Sequence, residues 1–379
     1  MKNKEIPILQ PEGSNIPLFL PHIPVGLAEE IAKVLETRWI GQGPRVELFE
    51  EEFLNRFCPD GAGIAVGSGT DALHLAYLLA GVGPGDEVIT PVFTCTATNI
   101  PLLYIGAKPI FVDVDPKTMN IDLAHLHSLV GPRTRAVAFV DYGGLPNNIE
   151  AIRRITVPLG IPIIEDAAHS LGATYRGQAV GRLSDFTIFS FQAIKHITTG
   201  DGGFLTFLDK DLLKKARRLR WFGIERSDKQ KGIWDNDIVE IGYKYQMTDI
   251  AAAMGLAGLR DLDNVLSVRR NNMRRYISNL TDYKELRIIG DENPDFNHAA
   301  WLFSIAVGRR MELQKKLYSH GIESNQVHYR NDRYSIFGGR RGNLPNMDRV
   351  EEEYLVLPLH TRMGLEEVDR VCDLILSGW

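Results

Sequence analysis

The chain has little cysteine, with three thiols among its 379 residues, at Cys58, Cys95 and Cys372. They include no CxxC pair, and they are too few and too scattered for a disulfide framework or a structural zinc site. Such sparse use of cysteine is typical of a reducing compartment. We therefore expect a cytoplasmic protein.

Long apolar runs and an excess of basic residues are also missing. No run approaches the roughly 20 residues of a membrane span, and no apolar segment of a signal peptide follows the charged residues at the start. A soluble protein without a membrane partner is expected. The chain has 43 Lys and Arg against 48 Asp and Glu, a formal net charge of −5. This balance argues against nucleic acid as the main partner but is compatible with a small anionic ligand.

Short apolar runs alternate with amphipathic segments through the first two hundred residues. The runs are rich in β-branched residues and almost continuously apolar, which is typical of strands covered on both faces. The predicted strands are residues 64–66, 87–90, 110–114, 136–140, 161–165, 186–191 and 203–207. Their alternation with helical segments predicts an α/β layer sandwich with a mainly parallel sheet.

The rhythm changes in the last third of the chain. Helical patterns cover residues 211–220 and 248–279, and the arginine run within 269–275 is predicted to be a solvated helix face. The later pattern predicts strands at 301–307 and 354–358 and helices at 312–320 and 365–376. We predict a large domain with an N-terminal arm over residues 1–250. Residues 251–379 would form a long linking helix and a small C-terminal α/β domain.

Residues 67–70, Gly-Ser-Gly-Thr, stand between a predicted strand and a predicted helix. Glycines allow close backbone approach and a helix N-terminus favours an anion, so a phosphate site and an ordinary capped turn are both compatible with this segment. With Ala72 it also matches a dinucleotide fingerprint. That fingerprint requires an acid at the end of the second strand, whereas Asp86 and Glu87 precede it. A nicotinamide oxidoreductase is therefore disfavoured.

Two further residues follow predicted strands, at the edge where α/β proteins bind their ligands. Asp166 could hold a protonated ring nitrogen, cap the next turn, or pair with His169 as a metal ligand, but no further cluster has ligand spacing, so no metal is expected. Lys195 lies between a strand end and a Gly-rich loop, an unusual place for a lysine. A Schiff-base lysine needs partial desolvation, so that its neutral amine is accessible. An anion site, an acid and an amine are together the three requirements of pyridoxal phosphate (PLP).

The order of motifs resembles the DegT/DnrJ/EryC1/StrS family of sugar aminotransferases over nearly the whole chain. The matching segments are residues 41–44 (GQGP), 67–73 (GSGTDAL), 83–91 (GPGDEVITP), 165–169 (EDAAH), 190–191 (SF), Lys195, 199–203 (TGDGG) and 357–360 (LPLH). The resemblance implies a fold-type-I PLP aminotransferase, with a large three-layer domain and a smaller C-terminal α/β domain.

The resemblance also implies roles for individual residues. Lys195 would form the Schiff base with the cofactor, Asp166 would pair with its ring nitrogen, and His169 would lie near its phenolic oxygen. The implied phosphate ligands are Gly69, Thr70 and Ser190, and Ser68 is a further expected cofactor-binding residue. The family assembles as homodimers with shared active sites, in which the segment that contains Lys244 reaches the partner's cofactor phosphate.

Two positions depart from the family pattern. The family commonly has Asn at the position of Lys244 and Arg at that of Gln246, and a lysine could still meet the phosphate as a point charge. Cys95 replaces an aromatic residue that lies over the cofactor ring in many members, so it is either a ring contact or a packing thiol. His328 matches a segment that lines the sugar site in relatives, with a surface loop as the alternative.

The expected reaction is ping-pong transamination of a nucleotide-linked keto-sugar, with L-glutamate as the amino donor by family analogy. The loop at residues 198–203 is most similar to enzymes that aminate C4 of a 4-keto-6-deoxyhexose, and C3 amination is the close alternative. A related dehydratase group has histidine where this chain has Lys195, so the lysine favours transamination. A non-catalytic regulator that binds cofactor or nucleotide-sugar stays the other alternative. Surface polysaccharide or glycosylated natural-product synthesis is the pathway expected from the family.

Overall fold

The structure, a computed structural model, describes residues 8–226, 232–235, 237–290 and 293–379. Its helices are α1 (Leu27–Leu35), α2 (Pro44–Phe57), α3 (Gly69–Leu79), α4 (Thr96–Tyr104), α5 (Leu123–Leu129), α6 (Ile149–Thr156), α7 (Leu213–Arg220), α8 (Asp249–Leu280), α9 (Arg310–Ser319), α10 (Pro345–Val350) and α11 (Leu365–Leu376). The strands up to residue 207 are β1 (Ala62–Val66), β2 (Glu87–Pro91), β3 (Phe93–Thr94), β4 (Lys108–Val112), β5 (Thr134–Val140), β6 (Ile163–Asp166), β7 (Thr174–Tyr175), β8 (Gln178–Ala179), β9 (Phe186–Ser190) and β10 (Gly203–Phe207). The later strands are β11 (Leu286–Ile289), β12 (Phe296–Asn297), β13 (Phe303–Val307), β14 (Tyr329–Arg330) and β15 (Tyr354–Leu357).

A seven-stranded sheet has the order β1-β10-β9-β6-β5-β2-β4. From β9 to β4 every neighbouring pair is parallel, whereas β10 runs antiparallel to both β9 and β1. The strands lie where the apolar runs predicted them to within a few residues. The prediction of a mainly parallel α/β sheet is therefore confirmed.

Helices cover both faces of this sheet. On one face, α3 and α7 pack against the apolar side chains of β1, β6 and β9. On the other, the buried residues Val46, Phe49, Phe53 and Phe57 recur every three or four positions along α2 and so share one side of that helix. Phe53 stacks on Phe204 of β10, with ring centroids 4.2 Å apart. The predicted three-layer arrangement is confirmed.

The long helix α8 joins this layered part to a second, smaller sheet. Thr248 caps its start by accepting the Ala251 N–H at 3.2 Å. The second sheet has the antiparallel order β11-β13-β15, and α8, α9 and α11 pack against it around a separate apolar core. This is the smaller C-terminal α/β unit that the sequence predicts. The division of the chain at residue 250 stays a prediction.

One prediction in this part of the chain is wrong. Arg269, expected on a solvated helix face, is only 2% exposed. Its guanidinium donates hydrogen bonds to the carbonyl oxygens of Ala300, Trp301 and Leu359, which provide the acceptors that a buried arginine needs. Arg274 and Arg275 of the same run are exposed. Within the part of the chain that the structure describes, no helix is both long and apolar enough to cross a membrane.

Candidate active site

A cavity of about 450 Å³ lies where β5, β6 and β9 end. Of the residues predicted to bind cofactor or substrate, those that line it are Ser68, Gly69, Thr70, Cys95, Asp166, His169, Ser190, Lys195 and His328. Lys244 does not line the cavity of its own subunit. Its backbone forms an isolated antiparallel β-bridge with Trp221, and its Nζ lies 5.8 Å from the centroid of the Trp221 indole. The structure thus brings together every predicted site residue except the one assigned to the partner subunit.

One end of the cavity is the start of α3. Ser68 caps this helix by accepting the Asp71 N–H at 3.0 Å, and the first N–H groups of a helix have no partner within it. A Cβ placed on Gly69 would meet the Ser190 Cβ at 3.0 Å, so glycine allows the helix to approach Ser190 closely. The N–H groups, the helix dipole and the serine hydroxyl together suit a phosphate.

Asp166 is the last residue of β6 and is buried. Its two carboxyl oxygens accept hydrogen bonds from the Thr98 hydroxyl at 2.6 Å and from the Ala168 N–H at 3.2 Å. Burial raises the pKa of Asp166, while the bonds from Thr98 and Ala168 and the charge of Lys195 oppose the rise. A protonated ring nitrogen placed beside it would favour the ionised carboxylate further.

Lys195 follows β9 in a turn in which its N–H donates to the Gln192 carbonyl at 2.9 Å. Its side chain is surrounded by protein, although part of its surface stays open to the cavity. Burial lowers the pKa of Lys195 to about 8, and the neighbouring Cys95 and Asp166 oppose the fall. A neutral amine is therefore accessible near physiological pH, as a nucleophilic lysine requires.

His169 and His328 form a stacked pair on the cavity wall. Their rings are nearly parallel, and their Nε2 atoms are 3.3 Å apart. Burial lowers the pKa of both imidazoles, that of His328 to about 3, so both are neutral. His328 is 9% exposed and therefore does not lie in a surface loop. Among the described residues, nothing pairs with the buried Nδ1 of His169, which leaves it free for a ligand.

Trp301 and Thr98 also belong to the site, but sequence reasoning gave them no role. Trp301 comes from the chain just before β13, and its ring contacts both His169 and Lys195. No local signal marks it, because a tryptophan next to a buried strand is ordinary core composition. Thr98 lies in the same short segment as Cys95, and a hydroxyl at that position was the available signal. Cys95 itself is exposed and directly precedes α4.

The residues of this cavity fit PLP. The start of α3 with Ser190 suits its phosphate, Asp166 suits a protonated ring nitrogen, and Lys195 provides an amine for its aldehyde. The unpaired Nδ1 of His169 is a further polar group that a bound ring could satisfy. Nowhere in the described ranges do three or more His, Cys, Asp or Glu side chains cluster as a metal site would require.

The class that such a fold and cavity define is that of the fold-type-I PLP-dependent aminotransferases. A model of the DegT/DnrJ/EryC1/StrS aminotransferase family matches residues 23–376. The chain belongs to this family, whose members use PLP. The predicted family, fold class, cofactor and enzyme class are confirmed.

Similar proteins support this assignment to the family. The chain is 33% identical to the spore coat polysaccharide biosynthesis protein SpsC of Bacillus subtilis, over 97% of this chain and 98% of that protein. It is 32% identical to the UDP-4-amino-4-deoxy-L-arabinose–oxoglutarate aminotransferase of Shewanella sediminis, over 94% and 96%. The crystal structure of the sugar aminotransferase CalS13 from Micromonospora echinospora matches with a TM-score of 0.91 at 32% identity, covering 96% of this chain and 100% of that one. The protein is therefore a sugar aminotransferase.

Proposed function

We propose that the protein transfers an amino group from L-glutamate to C4 of a nucleotide-linked 4-keto-6-deoxyhexose. The observation that carries the proposal is the position and pKa of Lys195. Its amine has a pKa of about 8 and lies in the same cavity as Asp166. The name of the Shewanella relative supports C4 and glutamate, because it combines an amino group on sugar carbon 4 with oxoglutarate, the keto acid of glutamate. Amination of C3 is the second candidate.

Each side chain has a defined task in this proposal. PLP supplies an aldehyde that accepts the amino group and a ring that withdraws electrons from the donor's α-carbon. Lys195, once its amine is free, moves a proton between that α-carbon and C4′ of the cofactor, acting as general base and then as general acid. Asp166 keeps the ring nitrogen protonated. The start of α3 and Ser190 hold the phosphate.

We assign the sugar to the side of the cavity that His328 lines. His328 is neutral at physiological pH, and because its Nε2 already lies 3.3 Å from the Nε2 of His169, a sugar would meet the rest of the imidazole ring on the cavity wall. Its backbone is fixed, because its N–H donates to the Tyr354 hydroxyl at 2.7 Å and the same hydroxyl donates to its carbonyl oxygen at 2.8 Å. A fixed imidazole can discriminate between hydroxyl positions.

The proposal includes a homodimer with shared active sites in the cytoplasm. Large apolar side chains are exposed shortly before Lys244, with Trp234 at 74%, Val239 at 70% and Ile241 at 80%. Such a concentration of exposed apolar surface favours burial against another protein surface. A second copy packed there would bring Lys244 to the partner's cofactor phosphate as a point charge.

The test is a panel of nucleotide-linked keto-sugars, incubated with the PLP-loaded enzyme and L-glutamate. We expect a 4-keto-6-deoxyhexose to give a product whose amino group lies on C4, determined by NMR of the purified sugar nucleotide. Amine on C3 from a 3-keto-sugar, with no product from the 4-keto-sugars, would replace the first proposal by the second. Oxoglutarate formed in proportion to product identifies the donor.

A further inference from the structure

Two residues ahead of β13, Ala299 and Trp301, contact the chain on either side of Lys195. The Trp301 indole N–H donates to the carbonyl oxygen of Ile194 at 3.2 Å. His196 donates from its Nε2 to the carbonyl oxygen of Ala299 at 2.8 Å. The residue before Lys195 and the residue after it are therefore held by one short segment, residues 299–301, which lies more than a hundred residues away in sequence.

The ring of Trp301 contacts the reactive groups themselves. The Nζ of Lys195 lies 3.7 Å from the centroid of the indole, within the range of a cation–π interaction. His169 stacks on the indole with centroids 3.8 Å apart and an angle of 17° between the planes. Trp301 is 1% exposed, so water does not weaken these contacts.

The segment that carries Trp301 is itself held in place. Arg269 donates to the carbonyl oxygens of Ala300 and Trp301. The backbone N–H of Trp301 donates to the Gly143 carbonyl at 3.0 Å. Ala300 has a φ of 54°, a left-handed conformation that side-chain-bearing residues adopt only when their surroundings impose it. The indole is thus preorganised by the surrounding structure.

We propose that Trp301 is a positioning residue, which seats the Lys195 amine and fixes the His169 ring from the C-terminal part of the chain. This role rests on Lys195 being the reacting amine. The indole N–H fixes the backbone from which Lys195 extends, and the indole face gives the protonated amine a favourable contact within a buried site. Trp301 touches the reacting lysine but transfers no proton itself.

The proposal predicts the sign of a pKa change. A cation–π contact stabilises the protonated amine, so its loss should lower the pKa of Lys195 further below the ordinary value of a lysine. Among the described residues, the titratable and charged groups that interact with Lys195 are Cys95, Asp166, His169, His196, Arg269 and His328. All of them are retained when Trp301 alone is substituted.

The test uses three variants of the full-length protein. Trp301→Leu removes both the ring face and the N–H, whereas Trp301→Phe keeps an aromatic face and loses the N–H. Phe303→Leu is the matched control, because Phe303 is an equally buried aromatic two residues on, stacked on Tyr276. Circular dichroism and thermal unfolding establish that each variant is folded.

The first readout is the pKa of Lys195 in cofactor-free protein, from the pH dependence of its acylation by acetic anhydride, followed by mass spectrometry with exposed Lys210 as the internal reference. We expect the pKa to fall by roughly 0.5 to 1 in Trp301→Leu, and to stay within about 0.3 of wild type in Trp301→Phe and Phe303→Leu. Because no substrate is present, this result is independent of whether the proposed sugar is correct.

The second readout is steady-state kinetics of the PLP-loaded enzyme with any amino donor and keto acceptor that it turns over. Trp301→Phe should lower kcat about fivefold with KM for the donor little changed, because the Ile194 carbonyl loses its donor next to the reacting amine. Phe303→Leu should retain the wild-type kcat. A Lys195 pKa that is unchanged or raised in Trp301→Leu, or an unchanged kcat in Trp301→Phe, would overturn the proposal.

Discussion

The carboxyl edge of the large sheet and the segment before Lys244 are built in opposite ways. At the sheet edge the side chains are enclosed: Asp166 accepts two hydrogen bonds, and Lys195 rests on the buried ring of Trp301. In the other segment, Trp234 and Ile241 expose 74% and 80% of their surface. The groups proposed to carry the chemistry are thus preorganised, whereas the segment proposed to reach a partner's phosphate exposes large apolar side chains.

Of the substitutions that test this difference, removing the lysine at the sheet edge should have the largest effect on activity. We expect Lys195→Ala to lower kcat/KM by about 10⁴-fold, because the variant loses both the amine that binds the cofactor and the group that moves the proton. Coupled detection of oxoglutarate measures the rate. Lys210→Ala, an exposed lysine outside the cavity, should retain full activity, and activity retained by Lys195→Ala would show that the lysine is wrongly assigned.

Asp166→Asn should have the next largest effect. An amide cannot carry the charge that keeps the ring nitrogen protonated, so we expect kcat to fall by about 10² to 10³-fold while PLP still binds. Thr98→Val is a graded comparison, because it removes one hydrogen bond to Asp166 and should cost about tenfold. Equal losses in the two variants would mean that the carboxylate charge is not what matters.

Mixing two defective variants tests whether the segment that contains Lys244 completes the active site of a partner subunit. Lys244→Glu should weaken PLP binding at least tenfold, because it places a negative charge beside the partner's phosphate. Each mixed dimer of Lys195→Ala and Lys244→Glu subunits then has one intact site. An equal mixture should recover about a quarter of wild-type activity after subunit exchange. Activity that never exceeds the sum of the separate variants would contradict a shared site.

Burial of the Lys195 amine should also lower the free energy of unfolding, and this is the smallest of the expected effects. Burial holds the folded pKa of Lys195 at about 8, below its ordinary 10.5, so the unfolded chain binds more protons between these values and stability should rise with pH across them. We expect cofactor-free Lys195→Met to be more stable than wild type at pH 7 by about 3 kcal/mol. Urea unfolding should show this difference shrinking between pH 8 and 10.5, and a difference independent of pH would contradict the assigned pKa.

Sequence reasoning predicted the parts of the molecule in which local pattern decides structure. The apolar runs gave the strands of the large sheet, and the amphipathic period gave the last helix, Leu365–Leu376, with both ends in place. The predictions from sequence were wrong where residues distant in the chain contact each other. Arg269 is buried because three carbonyl groups from the chain after residue 299 surround it, and nothing in its own helix indicates that.

The site shows the same division. Lys195, Asp166 and the start of α3 follow strands that run in the same direction in one sheet, so topology alone brings them to one edge. Trp301 reaches Lys195 from the segment before β13, a contact that depends on how the smaller sheet packs against the larger one. The part of the site that depends on such packing, including the rings around His169, had to be read from the structure.

One absorption spectrum tests whether Lys195 is the reacting amine. Cofactor-free protein mixed with PLP should develop a visible band, which L-glutamate abolishes and a nucleotide-linked 4-keto-sugar restores, and Lys195→Ala should show no such band. A protein that gives no visible band with PLP would show that Lys195 does not form a Schiff base with the cofactor. A band that no amino donor changes would contradict transamination, since it is the behaviour of a non-catalytic regulator.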